Sequence, residues 1–258
     1  MNLMIVDDDN VSRLAIAQIL STLTTQEPLQ VASGKAAMQA LKQGYQPDLI
    51  ITDVRMPEID GMEMLDIIRQ DSLFGPVPVM MVTSSPEQAV VRQAMQIGVQ
   101  GFILKPLTED AVKRVRAVVD RFHASLLEGP QSAMRRLSIS EAKYWGYVQA
   151  LQAQGRKLVA SVRLIRGESD HASHDDEAAI QKMLDACQGI CKTLAIAHLN
   201  KALLNMEVLF KTRVSARNIR VDAVIQAIEL YLHWLDVYVE HQGPRVALAG
   251  DRNEAANA

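Results

Sequence analysis

Cysteine is nearly absent from this chain. With only Cys187 and Cys191 among 258 residues, no disulfide framework can form, and an apolar core must hold the fold. No apolar run approaches the ~20 residues needed to span a bilayer, so no membrane partner is expected. The start, Met1 to Asp7, enters an apolar strand with no basic region or cleavage site, unlike a signal peptide. A cytoplasmic location is the expectation. An excess of positive charge is missing as well: the formal net charge is −3. Residues 1–124 hold 11 Lys/Arg against 15 Asp/Glu, and residues 125–258 hold 16 against 15. A DNA-binding output usually presents a basic face, so nucleic acid is disfavoured as a partner. The single basic cluster, Lys211, Arg213, Arg217 and Arg220, lacks an aromatic platform and a helix-turn-helix pattern. It reads as a solvated helix end.

What the chain does have is a repeat of short apolar runs and helical patterns through its first half. Strands are predicted near 3–6, 29–32, 48–53, 77–82 and 101–104, and helices near 11–22, 34–43, 62–70, 87–97 and 108–123. Such a βα repeat implies α/β architecture: a doubly wound, five-stranded parallel sheet covered on both faces, with right-handed crossovers. Gly44, Pro47, Gly75-Pro76 and Gly98 punctuate the strand starts.

Four strand ends carry chemistry. Leu3-Met4-Ile5-Val6 runs into Asp7-Asp8-Asp9, and Leu49-Ile50-Ile51 runs through Thr52 to Asp53 before Pro57 and Gly61 end the segment. Val79 to Val82 reaches Thr83-Ser84, and Phe102-Ile103-Leu104 reaches Lys105-Pro106. In an open parallel sheet the C-terminal strand ends are where ligands bind. An acid cluster, a lone carboxylate, a hydroxyl and an ammonium would therefore converge.

These elements, in this order and spacing over residues 1–123, resemble the response-regulator receiver domain, the family of the bacterial chemotaxis regulator. The resemblance implies a flavodoxin-like fold in which Asp53 is the phosphoacceptor. Mg²⁺ is implied as cofactor, with Asp8 and Asp53 as direct ligands, Asp7 acting through water and the Arg55 backbone carbonyl completing the set. Lys105 would meet a phosphoryl oxygen, and Thr83 and Phe102 would form the switch pair, with small Ser84 leaving room beside them. Phe102 replaces the family's frequent tyrosine. The family also has a cis peptide at the position of Lys105-Pro106. The implied partners are a sensor histidine kinase or phosphotransfer protein, and a downstream protein that the sequence does not name. Asp9 is one acid more than needed and is expected to open the first helix, where the helix dipole favours negative charge.

Residues 124–137 read as a linker broken by Gly129-Pro130. Ser138-Ile139-Ser140-Glu141 then reads as a capping box. Tyr144, Val148, Leu151, Gly155, Leu158, Val162 and Ile165 lay an apolar seam along roughly seven turns, with Gly155 its weak layer. Glu168 to Asp176, with His171 and His174, reads as a solvated loop rather than a metal site. A second helix is predicted from Asp176 to about Phe210. A third carries Val221, Val224, Ile228, Tyr231, Leu235 and Tyr238, ended by Gly243-Pro244. Residues 138–241 are thus expected to be an all-α bundle, with residues 242–258 a disordered tail. Seams of this kind bury within one chain or between two, so a homodimer through the bundle is one way to satisfy them.

Three outputs compete. The bundle would be a protein-interaction module, a degenerate histidine-phosphotransfer domain, or part of a DNA-binding regulator; no enzyme motif appears, so no enzymatic output is expected. The phosphotransfer reading rests on Ala197-His198-Leu199-Asn200-Lys201-Ala202, which resembles that family's motif in placing lysine three residues after histidine. Asn200, Ala202 and Leu203-Leu204 depart from it. Rising 1.5 Å per residue along one helix, Cys187 and His198 lie roughly 16 Å apart and cannot share a metal.

Overall fold

The computed structural model describes residues 1–24, 26–71, 74–85, 87–168, 174–212 and 219–243. Five parallel strands, β1 (Leu3–Val6), β2 (Leu29–Val31), β3 (Leu49–Asp53), β4 (Val79–Thr83) and β5 (Gly101–Leu104), form one sheet in the order β2-β1-β3-β4-β5. Their pleat sends alternate side chains to opposite faces. Leu3, Ile5, Leu49, Ile51, Met80 and Val82 enter one buried layer with helices α1 (Asn10–Leu20) and α5 (Glu109–Leu126). Met4, Val6, Ile50, Val79 and Met81 enter the other, under α2 (Gly34–Lys42), α3 (Gly61–Gln70) and α4 (Gln88–Ile97). Both faces are covered, which is why these strands read as unbroken apolar runs.

The second half is all helical. Helix α6 (Pro130–Leu137) leads into α7 (Glu141–Glu168), α8 (His174–Thr193), α9 (Ala197–Lys211) and α10 (Ile219–Gln242). Among the last four, each packs on the next and α10 returns to α7, closing a four-helix bundle. The predicted seam of α7 is buried throughout, from Tyr144 to Ile165. Gly155 is not a weak layer: a Cβ there would lie 2.7 Å from Leu232 Cδ2, so the missing side chain is the notch that admits Leu232 of α10.

Three expectations need correction. The segment expected as linker contains α6, with Pro130 at the first helical turn, where its missing N–H costs nothing, and Ala133 fully buried. The cap of α7 is Ser140, whose Oγ accepts from Lys143 N at 3.4 Å; Ser138 instead adopts a left-handed conformation that ends α6. The long second helix is two. Between α8 and α9 the chain turns at Ala195, with φ of +57°, a conformation that neither glycine nor proline announces. Residue 171, the side chain of His174 and residues 244–258 lie outside the described residues. Of the basic cluster, Lys211 is exposed and paired with Glu207, whereas the side chains of Arg213, Arg217 and Arg220 are not described.

The bundle stands against the N-terminal ends of the strands, joined to the sheet by α5. Phe122 of α5 meets Trp234 of α10 edge-on, with ring centroids 4.7 Å apart. Beside them Asp48, wholly buried just before β3, accepts from Asn2 N at 2.6 Å and faces His233 Nε2 at 3.1 Å and His123 Nε2 at 3.7 Å. Burial alone would raise the Asp48 carboxyl, but the nearby His123 imidazole and the hydrogen bonds from His233 and Asn2 outweigh it and hold the group well below the usual range. The same hydrogen bond raises His233 against its own burial. The raised His233 contributes stability that is full below the ordinary histidine value of ~6.5 and lost as pH rises through its own. The lowered Asp48 contributes above ~4 and loses its share on acidification. The latch is therefore strongest between about pH 4 and 6.5. Replacing His233 with Ala should cost about 1–3 kcal/mol in urea unfolding at pH 5.5 and distinctly less at pH 9. An equal loss at both would show that the ion pair contributes nothing.

Candidate functional site

The acid pocket forms where β1, β3 and β5 end. Asp7 follows the last residue of β1 and is fully buried. Its Oδ1 accepts from Asp9 N at 2.9 Å, and its Oδ2 accepts from Ser12 Oγ at 2.7 Å and Lys105 Nζ at 2.9 Å. Asp9 caps α1, accepting from Val11 N and Ser12 N at 3.1 and 3.2 Å, the place expected for the surplus acid. Asp53 ends β3; its Oδ2 accepts from Lys105 Nζ at 2.5 Å and its Oδ1 from Arg55 N at 3.2 Å.

Oxygens of Asp7, Asp8 and Asp53 lie within 4.8 Å of one another. Three carboxylates this close repel unless cations intervene, and Lys105 intervenes between two of them. Burial would lower the lysine, but the hydrogen bonds to Asp53 and Asp7 prevail and raise it. Three hard oxygen donors around one point, with Asp8 exposed to solvent, suit a divalent cation such as Mg²⁺. The Lys105-Pro106 peptide is cis.

Around the mouth, Thr83 Oγ1 donates to Ser85 O at 3.1 Å and accepts from Ser85 N at 3.2 Å. Phe102 is half-buried against the core. Arg55 and Glu87, both exposed, pair across the mouth from the loops after β3 and β4. Sequence reasoning placed Arg55 here only for its carbonyl and missed Glu87; nothing in the spacing signals a pair 32 residues apart.

A family model described as the response regulator receiver domain matches residues 3–116. The chain is also 34% identical over 119 residues to the chemotaxis protein CheY1 of Helicobacter pylori, covering 46% of this chain and 96% of that relative. The chain belongs to the response regulator receiver family. A second relative, the chemotaxis protein CheY of Pseudomonas aeruginosa, is 30% identical over 122 residues, covering 47% of this chain and 98% of its own. Among solved structures, the Vibrio cholerae chemotaxis protein CheY4 is 26% identical with a TM-score of 0.42, covering 45% of this chain and 97% of its own. The first half is thus the receiver of a two-component response regulator, a class of signalling protein. Among the described residues no helix is long and apolar enough to cross a membrane.

Asp7, Asp8, Asp53 and Lys105 of the expected receiver site lie together, and His198 stands apart from them. It is exposed on α9, stacked on Tyr231 with centroids 6.1 Å apart, and it lines a cleft with Pro76, Pro78 and Gln100, which precede β4 and β5. Asp53 is at the other end of the sheet, about 15 Å away along strands of five residues. Cys187 and Cys191 are buried and free, and burial pushes both thiols up, to about 11 and about 12. Cys187 and His198 do not share one helix, since α8 and α9 are separate, and no metal cluster forms there among the described residues.

Gly61 explains how the loop after β3 returns so closely to the site. A Cβ there would lie 2.1 Å from Asp53 O, against backbone that cannot yield. We expect Gly61→Ala to destabilise the receiver by about 1–3 kcal/mol in urea unfolding. Gly146→Ala, where a Cβ meets nothing within 4 Å, should gain up to ~1 kcal/mol. Equal effects would refute the close-approach argument.

Proposed function

We propose that Asp53 accepts a phosphoryl group from a phosphohistidine on a sensor histidine kinase or phosphotransfer protein. The observation that carries this reading is Lys105, holding the Asp53 and Asp7 carboxylates in one pocket at the strand ends. An Asp53 carboxylate oxygen attacks phosphorus; the new O–P bond forms as the donor's N–P bond breaks, and the leaving imidazole takes up a proton. Asp8, Asp53 and the Arg55 carbonyl, with Asp7 through water, would hold a Mg²⁺ ion, and such an ion would supply the positive charge that lets an anion approach this acid cluster. Lys105, already charged and within reach of Asp53, transfers its contact to a phosphoryl oxygen.

Switching follows from the same atoms. The Thr83 hydroxyl gives up Ser85 O and donates to the phosphoryl group instead, and Phe102 moves into the space released. From there α5 runs to Leu126, just past the receiver (residues 1–123), and packs on α10 of the bundle (138–241), which acts as a protein-interaction module. Transfer to His198 of the same chain has no part in this reading, since the two residues face opposite ends of the sheet.

Incubation with a small acyl-phosphate donor and Mg²⁺ should add one phosphoryl group by intact mass, and removing the metal with a chelator should suppress it. Asp53→Asn should stay unmodified. A variant modified as fully as the parent would assign the chemistry elsewhere.

A further inference from the structure

The cleft between the receiver and the bundle has chemistry that the phosphorylation site does not use. It encloses about 730 Å³ between the loops before β4 and β5, the C-terminal half of α5 and the first turn of α9. That volume is ordinary for a small-molecule site, and domain junctions are where such sites collect.

Its charge is opposite to that of the protein. Arg69, Arg121 and Lys201 line it against one carboxylate, Asp71, in a chain whose net charge is −3. Asp71 faces its own loop, accepting from Phe74 N at 2.9 Å. Arg69 sends all five N–H groups to neutral oxygens, those of Gly98, Gly75, Val77 and Gln100, so its charge has no anion beside it. Burial lowers this guanidinium to about 10, leaving it charged at neutral pH. Among the described residues Arg121 binds only Ala117 O, through Nε, and Lys201 has no partner. These two come from opposite walls, α5 and α9, and like charges facing a common space repel unless an anion lies between them.

Between the cations the wall is mixed: the rings of Pro76, Pro78 and Phe122 stand beside Gln70, Gln100, Ser125 and His198. We propose that this cleft binds a nucleotide-sized molecule, its phosphate between Arg121 and Lys201 and its planar ring against Pro76 and Phe122. The ring would be held by shape rather than by its edge. The Gln100 amide is already committed to Val79 N, Arg69 and Gly98 O, and the Ser125 hydroxyl to Phe122 O. Gln70 donates its amide N–H to Asp66 and the His198 ring lies stacked on Tyr231, so bases should be poorly distinguished. A ligand touching α5 and α9 together would also brace the receiver against the bundle.

Calorimetric titration of the full chain with chelator present tests this, using AMP, GMP, adenosine and inorganic phosphate as probes. AMP and GMP should bind at one site with affinities within about threefold of each other, and adenosine and inorganic phosphate each about tenfold or more weaker. Arg121→Gln and Lys201→Gln should each weaken AMP about tenfold, and Asp53→Asn should leave it unchanged. Absence of AMP binding, equal binding of AMP and adenosine, or full affinity in both cation variants would overturn the proposal. So would loss of binding in Asp53→Asn, which would place the nucleotide in the acid pocket. The outcome is independent of whether Asp53 is phosphorylated.

Discussion

A buried carboxylate needs a cation, and Lys105 supplies one to two carboxylates at once. Asp7 has no exposure to water and sits in one pocket with Asp53. Without the ammonium at 2.9 and 2.5 Å, these strand ends would repel one another. The loop after β5 is held in place by that contact, and α5 starts four residues later at Glu109. Anything that draws Lys105 away from Asp53 therefore acts directly on the origin of α5. The phosphoryl group we propose for Asp53 would carry more negative charge than the carboxylate and so be suited to do so.

The same logic recurs at the other end of the sheet. Asp48 is buried just before β3, as Asp7 is buried just after β1, and its compensation comes from histidines of α5 and α10. Two buried acids thus bracket the receiver, one tied to the acid pocket and the other to the bundle. Helix α5 leaves the loop that carries the first cation and itself bears His123, a partner of the second acid. An 18-residue helix is about 27 Å long. That is enough to carry a displacement from the pocket to the aromatic contact between Phe122 and Trp234.

How much of this was legible in the sequence divides along physical lines. The five strands were, because apolar runs stopped by polar residues leave few alternatives. The pocket was, because each of its side chains sits at a strand end fixed by its own run. Capping at Asp9 was readable, whereas Ser138 competed with Ser140 and only the left-handed turn at Ser138 decides between them. The break at Ala195 lacked any signal, since alanine favours helix and the turn is imposed by packing of α9 against α10. Asp48 and His233 lie 185 residues apart, and no local pattern joins them. The notch at Gly155 needed knowledge of Leu232.

In the switch proposed above, a change at Asp53 reaches the bundle through α5. Hydrogen exchange over residues 118–126 and 228–238, with and without the acyl-phosphate donor, is the decisive measurement. The parent should change protection in both segments on phosphorylation, and Thr83→Ala, still phosphorylated, should change neither. Unaltered protection in the fully phosphorylated parent, or an undiminished response in Thr83→Ala, would contradict the claim.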